Sequence, residues 1–115
     1  MSDLRALVAC LKSIEDSARA FVLVPANPKT REELSNAVAV AAPILEETYD
    51  IGGLERERSV IARELGPFRN AISAMEADQS PDQHRLILSY VRGTRSRIAR
   101  LLPQLEAQLR SRRQI

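Results

Sequence analysis

The residue types that most often carry out catalysis are scarce in this sequence. Cys10 is the only cysteine and His84 the only histidine among 115 residues. A thiol beside an imidazole can act as an activated nucleophile, but these two residues lie in separate predicted helices, and nothing in the pattern brings them together. We therefore expect Cys10 to be a partly buried, unreactive thiol. His84 is expected to be a solvated side chain near the start of the last helix.

A metal centre and a nucleotide site have equally little support. Di-metal sites in helical bundles use Glu-x-x-His pairs from two helices, and the single histidine has Pro81 three residues before it. No glycine-rich phosphate-binding loop of the GxxxxGK[ST] or GxGxxG type is present. The adjacent glutamates at 32–33 and 46–47 are explained by helix capping and by a solvated helix face. The sequence predicts a protein without catalysis, bound metal or cofactor.

Arginine in the last third of the chain is the remaining candidate for chemistry. Residues 82–115 hold eight arginines against two acidic residues, whereas residues 1–81 hold nine basic and thirteen acidic residues. At about 100° per helical residue, Arg85, Arg92 and Arg100 fall opposite the apolar seam of their helix. We call these three residues the arginine strip and predict that it binds a partner or an anion. A solvated helix face without function is the alternative.

Apolar residues that repeat in steps of three and four predict four amphipathic helices. The first spans about residues 3–23, and the third about 54–77. The second is expected to start at a capping box formed by Thr30 and Glu33, and Gly52-Gly53 is expected to end it. The fourth and longest begins with Ser80 as its N-cap. No segment alternates with the two-residue period of a strand.

This pattern predicts an all-α protein, an antiparallel four-helix bundle that forms a single domain over residues 1–115. Pro67 should kink the third helix or split it in two, and Pro103 should kink the fourth. A crossover connection or an open array of helices would produce the same apolar pattern, so both remain as alternatives for the topology.

Several charged residues are expected to meet across the ends of the bundle. Arg58 occupies a position where the seam of the third helix calls for an apolar residue, and we expect it to reach Glu47 or Asp50. The acidic turn between the second and third helices should face the end of the fourth. Its expected basic partners are Arg110, Arg112 and Arg113.

The sequence also narrows the compartment and the class of function. A lone cysteine and the absence of a secretory apolar segment predict a cytoplasmic protein, and the longest uncharged apolar run, 37–45, is too short to span a bilayer. We predict a non-catalytic protein–protein interaction module that self-associates, because helix two is apolar over a wide arc and helix four is long. The alternative is an anion-binding protein that uses the arginine strip on nucleic acid or an acidic lipid surface. A small-ligand site or an enzyme site within the bundle, near Glu64 or Tyr90, is the third hypothesis.

Overall fold

Four α-helices make up most of the computed structural model, which describes residues 4–24, 27–48, 53–77 and 80–113. No strand occurs within these ranges, so the predicted all-α class is confirmed. In chain order the helices are α1 (Leu4–Leu23), α2 (Pro28–Glu47), α3 (Glu55–Ala77) and α4 (Pro81–Arg113).

The helices surround one core, and each helix has two neighbours. Helix α1 packs against α2 and α4, and α3 also packs against α2 and α4. Across the described residues, no Cα atom of α2 lies within 8 Å of a Cα atom of α4, and these two helices lie on opposite sides of the core. The contact between α1 and α4 closes the ring, which distinguishes this bundle from an open array. The two neighbours of α2 also account for its wide apolar arc. The antiparallel direction of the helices stays a prediction.

Aliphatic side chains fill the core, as the scarcity of aromatic residues requires. Phe21 and Phe68 are the only phenylalanines in the chain, and both are buried. The remaining space is filled by Leu, Ile, Val, Ala and Met side chains from the predicted seams of all four helices. The bundle measures 52 × 21 × 19 Å between Cα atoms. Its long dimension matches α4, because 33 helical residues extend about 50 Å.

Helix α2 begins earlier than the sequence predicts, so the assignment of Thr30 as its N-cap is wrong. Asn27 is the N-cap, and its side-chain oxygen accepts a hydrogen bond from the Lys29 amide at 2.9 Å. Pro28 occupies the first helical position, where its ring sets a helical φ and its missing amide hydrogen costs nothing. The Thr30 hydroxyl instead lies 2.8 Å from the carbonyl of Val24 and 2.9 Å from that of Asn27.

Helix α2 also ends earlier than predicted, at Glu47 rather than at the glycine pair. Thr48 adopts an extended conformation, and its hydroxyl donates to the Ile44 carbonyl at 2.6 Å. The Thr48 amide also donates to the Ile44 carbonyl, at 3.0 Å, so this carbonyl accepts two hydrogen bonds from the C-cap residue. Residues 49–52 lie outside the described ranges. Gly53 does have the expected positive φ, of 86°. The Ser80 cap of α4 is confirmed, because its hydroxyl accepts from the Gln83 amide at 3.3 Å.

Three prolines lie inside helices, and none of them interrupts its helix. Pro43, Pro67 and Pro103 are all on exposed faces. A proline removes one hydrogen bond from the preceding turn, and on a solvent-facing side the freed carbonyl can bond to water instead. The predicted split of the third helix at Pro67 is therefore wrong. The predicted kinks at Pro67 and Pro103 stay predictions.

Substitution of two glycines should have opposite effects on stability. Gly93 lies inside α4, where an added Cβ would make ordinary contact with the Arg97 guanidinium at 3.9 Å, whereas Gly53 has a positive φ. We expect Gly93→Ala to raise the free energy of unfolding by about 0.5–1 kcal/mol and Gly53→Ala to lower it by about 1 kcal/mol. Urea denaturation of both variants measures this. If both variants changed the free energy of unfolding equally and in the same direction, the proposed difference between the two glycine positions would be contradicted.

Candidate anion-binding groove between α3 and α4

A groove of about 380 Å³ opens between the start of α3 and the second half of α4. Its floor is apolar and consists of Val60, Ile61 and Leu101, of which Ile61 and Leu101 are 2% exposed. The remaining lining is polar and carries three positive charges against one negative charge. These polar lining residues are Arg56, Glu57, Arg97, Arg100 and Gln104.

Arg97 is held in place by Glu64, which lies on the neighbouring helix. Its Nε atom is 2.6 Å from Oε1 of Glu64, whose side chain is only 16% exposed. The N–H of this nitrogen is not aligned for a hydrogen bond with the carboxylate, so the contact is an ion pair by distance. The guanidinium also extends over Gly93, where a Cβ would lie 3.9 Å from both terminal nitrogens. The ion pair therefore orients Arg97 at the edge of the groove.

A polar network fixes the carboxylate that orients Arg97. The hydroxyl of Thr94, which is fully buried, donates to Oε2 of Glu64 at 3.0 Å. The Tyr90 hydroxyl donates to the Glu64 backbone carbonyl, also at 3.0 Å. Burial, and then the Glu64 charge, raises the pKa of Tyr90, while Arg97 acts in the opposite direction. Tyr90 packs on Phe68 with ring centroids 5.8 Å apart. Both ends of the Glu64 carboxylate are thus engaged, which leaves it unsuited to general acid–base work.

Arg56 and Arg100 complete the cationic rim of the groove. Both side chains are exposed, and neither makes an ion pair or side-chain hydrogen bond within the part of the chain that the structure describes. Gln104 donates to the Arg100 backbone carbonyl at 3.2 Å. Guanidinium groups without an internal partner are available to an incoming carboxylate or phosphate.

The structure does not gather the predicted arginine strip into one site. Arg100 lines the groove, whereas Arg85 and Arg92 do not. Arg85 forms an ion pair with Asp82 one turn before it, and both side chains are largely exposed. Arg92 is exposed on the same helix. At about 100° per residue, Arg100 is turned roughly 80° from Arg92 around the helix axis, toward α3.

Two groove arginines, Arg56 and Arg97, were not predicted as site residues. Arg97 flanks the α4 seam on the side that packs on α3, and Arg56 comes from α3 itself. The sequence signal of Arg97 is only its place beside an apolar seam, and Arg56, about 140° around its helix from Ile61, gives no such signal. That signal becomes informative once the neighbouring helix is known.

Arg58 contacts the last turn of α2, and it forms no ion pair with Glu47, one of its two predicted partners. It donates to the Leu45 backbone carbonyl, one of the last carbonyls of that helix. The negative end of the helix dipole also stabilises a cation at this position. No ion pair joins Arg58 to Glu47 in the described residues, and Asp50 lies outside them.

Arg110, one of the three arginines predicted to meet the acidic turn, is not paired with it in the described residues. Arg110 is exposed and forms no ion pair with an acidic residue in the described ranges. The side chains of Arg112 and Arg113 are not among those described. In the part of the chain that the structure describes, the ion pairs between α4 and other helices involve α4 residues that precede Arg110. They are Lys12 with Glu106 at 2.9 Å, Glu15 with Arg95 at 3.5 Å, and Glu64 with Arg97.

Cys10 and His84 make no hydrogen bond with each other in the described part of the chain. The Cys10 thiol is 6% exposed and donates to the Leu7 carbonyl at 3.2 Å. Burial raises its pKa from 9.0 to about 11, so the reactive thiolate is suppressed. The expectation of a solvated His84 is wrong, because the residue is partly buried and its Nε2 has no hydrogen-bond partner. A second buried nitrogen without a partner is Nε of Arg31, a residue that is 9% exposed.

No family model matches the chain, and no curated protein or solved structure is significantly similar to it. Within the described residues, no group of three or more His, Cys, Asp or Glu side chains is placed to hold a metal ion. None of the described helices is long and apolar enough to cross a membrane.

Loss of the Thr94 hydroxyl should destabilise the fold. Thr94→Val preserves the shape of the side chain but leaves one oxygen of the largely buried Glu64 carboxylate without a donor. We expect the free energy of unfolding to fall by about 1–2 kcal/mol in urea denaturation. The effect should shrink in a Glu64→Ala background. Full additivity of the two substitutions would contradict the hydrogen bond.

Alkaline pH should destabilise the protein through Cys10. Because the pKa of Cys10 is higher in the folded chain than in the unfolded chain, the unfolded chain loses this proton first as the pH rises. The contribution of the protonated thiol to the free energy of unfolding is therefore complete below pH 9 and is lost as the pH rises toward 11. A shift of this size corresponds to about 2–3 kcal/mol. Urea denaturation between these pH values should therefore show a steeper loss of stability in the wild type than in Cys10→Ala. If stability fell with pH in parallel in the two proteins, the raised pKa of Cys10 would be contradicted.

Proposed function

We propose that this protein is a non-catalytic interaction module that binds an acidic segment of a partner protein in the α3–α4 groove. The observation that carries the proposal is the convergence of Arg56, Arg97 and Arg100 around an apolar floor. Guanidinium groups bind carboxylates through paired N–H donors. An apolar floor between them favours a ligand that presents an apolar side chain among its acids.

A protein segment suits this groove better than an extended nucleic acid does. A volume of about 380 Å³ accommodates a few side chains. A nucleic acid would instead need a continuous track of phosphate contacts, and the arginine strip is divided between Arg100 in the groove and Arg92 outside it. Base stacking also requires accessible aromatic faces. The nearest candidate, Tyr90, is packed on Phe68 and hydrogen-bonded to α3.

The lack of catalysis in this proposal rests on the chemistry of the groove lining. The lining residues include no cysteine, histidine, serine or threonine. Glu57, the one acid among them, is exposed. Glu64 lies behind Arg97 with both carboxylate oxygens engaged, which argues against the third hypothesis of an enzyme site at this position. The cytoplasmic location stays a prediction.

Binding to an acidic probe peptide should depend on the groove and not on the arginine strip. The probe is a fluorescently labelled peptide of glutamate, leucine and alanine. The control peptide has the same sequence with glutamine in place of glutamate. Fluorescence anisotropy should detect binding of the acidic peptide that weakens as salt rises. Arg56→Gln should weaken the affinity about three- to tenfold.

Arg92→Gln is the matched control, because it removes the same charge from an exposed position outside the groove. We expect it to change the affinity less than about twofold. An equal loss of affinity in both variants would contradict binding in the groove and would favour binding to a diffuse basic face. Tighter binding of single-stranded DNA or of anionic vesicles than of the peptide would favour the anion-binding alternative.

A further inference from the structure

Helix α2 carries an exposed line of side chains whose chemistry complements the groove. Val40 is 61% exposed although it lies in the middle of the helix. Glu33 and Glu47 lie seven residues before and after it, about 10 Å away on either side along the same helix face. Both glutamates are exposed and form no ion pair within the described ranges. We call Glu33, Val40 and Glu47 the α2 stripe.

The stripe and the groove match in both charge and polarity. The stripe presents an apolar side chain between two acids, and the groove presents an apolar floor bordered by three arginines and one glutamate. Isolated exposed valines are ordinary, but here Val40 is centred between the two unpaired acids. An amphipathic helix that docks in a groove uses this kind of spacing, with contacts at every second turn.

A single chain cannot bring its own stripe into its own groove. Helices α2 and α4 lie on opposite sides of the core, and none of their Cα atoms approach within 8 Å of one another in the described ranges. Both surfaces are therefore available only to other molecules. We propose that the acidic segment bound by the α3–α4 groove is the α2 stripe of a second copy of this chain. This inference rests on the proposed function, because it names the partner of the same groove.

The contact joins unlike surfaces, so it is heterologous and directional. One chain offers its groove and the next chain offers its stripe. A single helix in a short groove buries little area, and we expect a dissociation constant on the order of 10–100 µM that rises with salt. Self-association, which the sequence predicts from the wide arc of α2, is here assigned to the one large apolar side chain of α2 that stays exposed.

Sedimentation equilibrium of the full chain tests the contact at low (about 50 mM) and high (about 500 mM) salt. The wild type should associate at low salt and dissociate at high salt. Val40→Asp disables the stripe, and Arg100→Glu disables the groove, so each variant alone should be at least tenfold weaker in self-association. Both positions are exposed, and circular dichroism should confirm an unchanged helix content. Arg92→Gln is the control and should associate like the wild type.

A mixture of the two disabled variants provides the decisive measurement. Val40→Asp retains its groove and Arg100→Glu retains its stripe, so together they should form a complex of two chains that grows no further. A monomeric mixture would overturn the head-to-tail contact, and so would unaltered association of Val40→Asp alone. Association weakened equally by Arg92→Gln and Arg100→Glu would also overturn it.

The outcomes for the inference and for the proposed function are separable. A wild type that stays monomeric at all concentrations and salts overturns self-association, while binding of the probe peptide at low protein concentration still supports the groove. If both proposals hold, the probe peptide should also dissociate the wild-type assembly, because the two ligands compete for Arg56 and Arg100. Assembly that persists with the groove saturated by peptide would overturn the inference alone.

Discussion

A carboxylate that is largely removed from water must be neutralised by hydrogen bonds or by a cation, and Glu64 is such a group at the α3–α4 interface. Its partners, Thr94 and Arg97, lie about one turn apart on α4. They therefore constrain how far α3 can slide along α4 without leaving a charge unpaired. The same alignment sets the start of α3 beside residues 97–104, where the groove opens. The position of the groove thus follows from the pairing of one buried acid.

The helical class and the core could be predicted because burial imposes a period on the sequence. The seams of all four helices became core residues, and the three helix-internal prolines sit on exposed faces where a lost hydrogen bond can be replaced by water. The errors arose where two local signals compete. Asn27-Pro28 and Thr30-Glu33 are both plausible helix starts, and the proline decides in favour of the first. Similarly, α2 ends before the glycine pair is reached, because the backbone of Thr48 turns to an extended conformation.

The candidate site was less predictable, because a helical wheel reports only the direction of a residue from its own axis. It places Arg85, Arg92 and Arg100 away from the α4 seam, but it does not say where α3 lies. That neighbour turns Arg100 into a groove residue and leaves Arg92 in solvent. Arg56 belongs to the same site through a different helix, and only the packing reveals that. A charged residue on the surface of a helix needs its tertiary neighbour before its role can be assigned.

Charge in this bundle is separated across its width as well as along its chain. Ion pairs neutralise part of α4 against α1 and α3, but Arg92, Arg100 and Arg110 remain unpaired among the described residues, as do Glu33 and Glu47 on α2. Helices α2 and α4 lie on opposite sides of a cross-section of 21 × 19 Å. That width exceeds the screening length of about 8 Å at physiological ionic strength, so the two faces scarcely attract each other within one molecule. Opposite charges that cannot meet inside a chain can meet between chains. A contact between unlike faces leaves one free face at each end of the assembly, so its growth stops only when the rotation closes a ring or when each contact is too weak to extend.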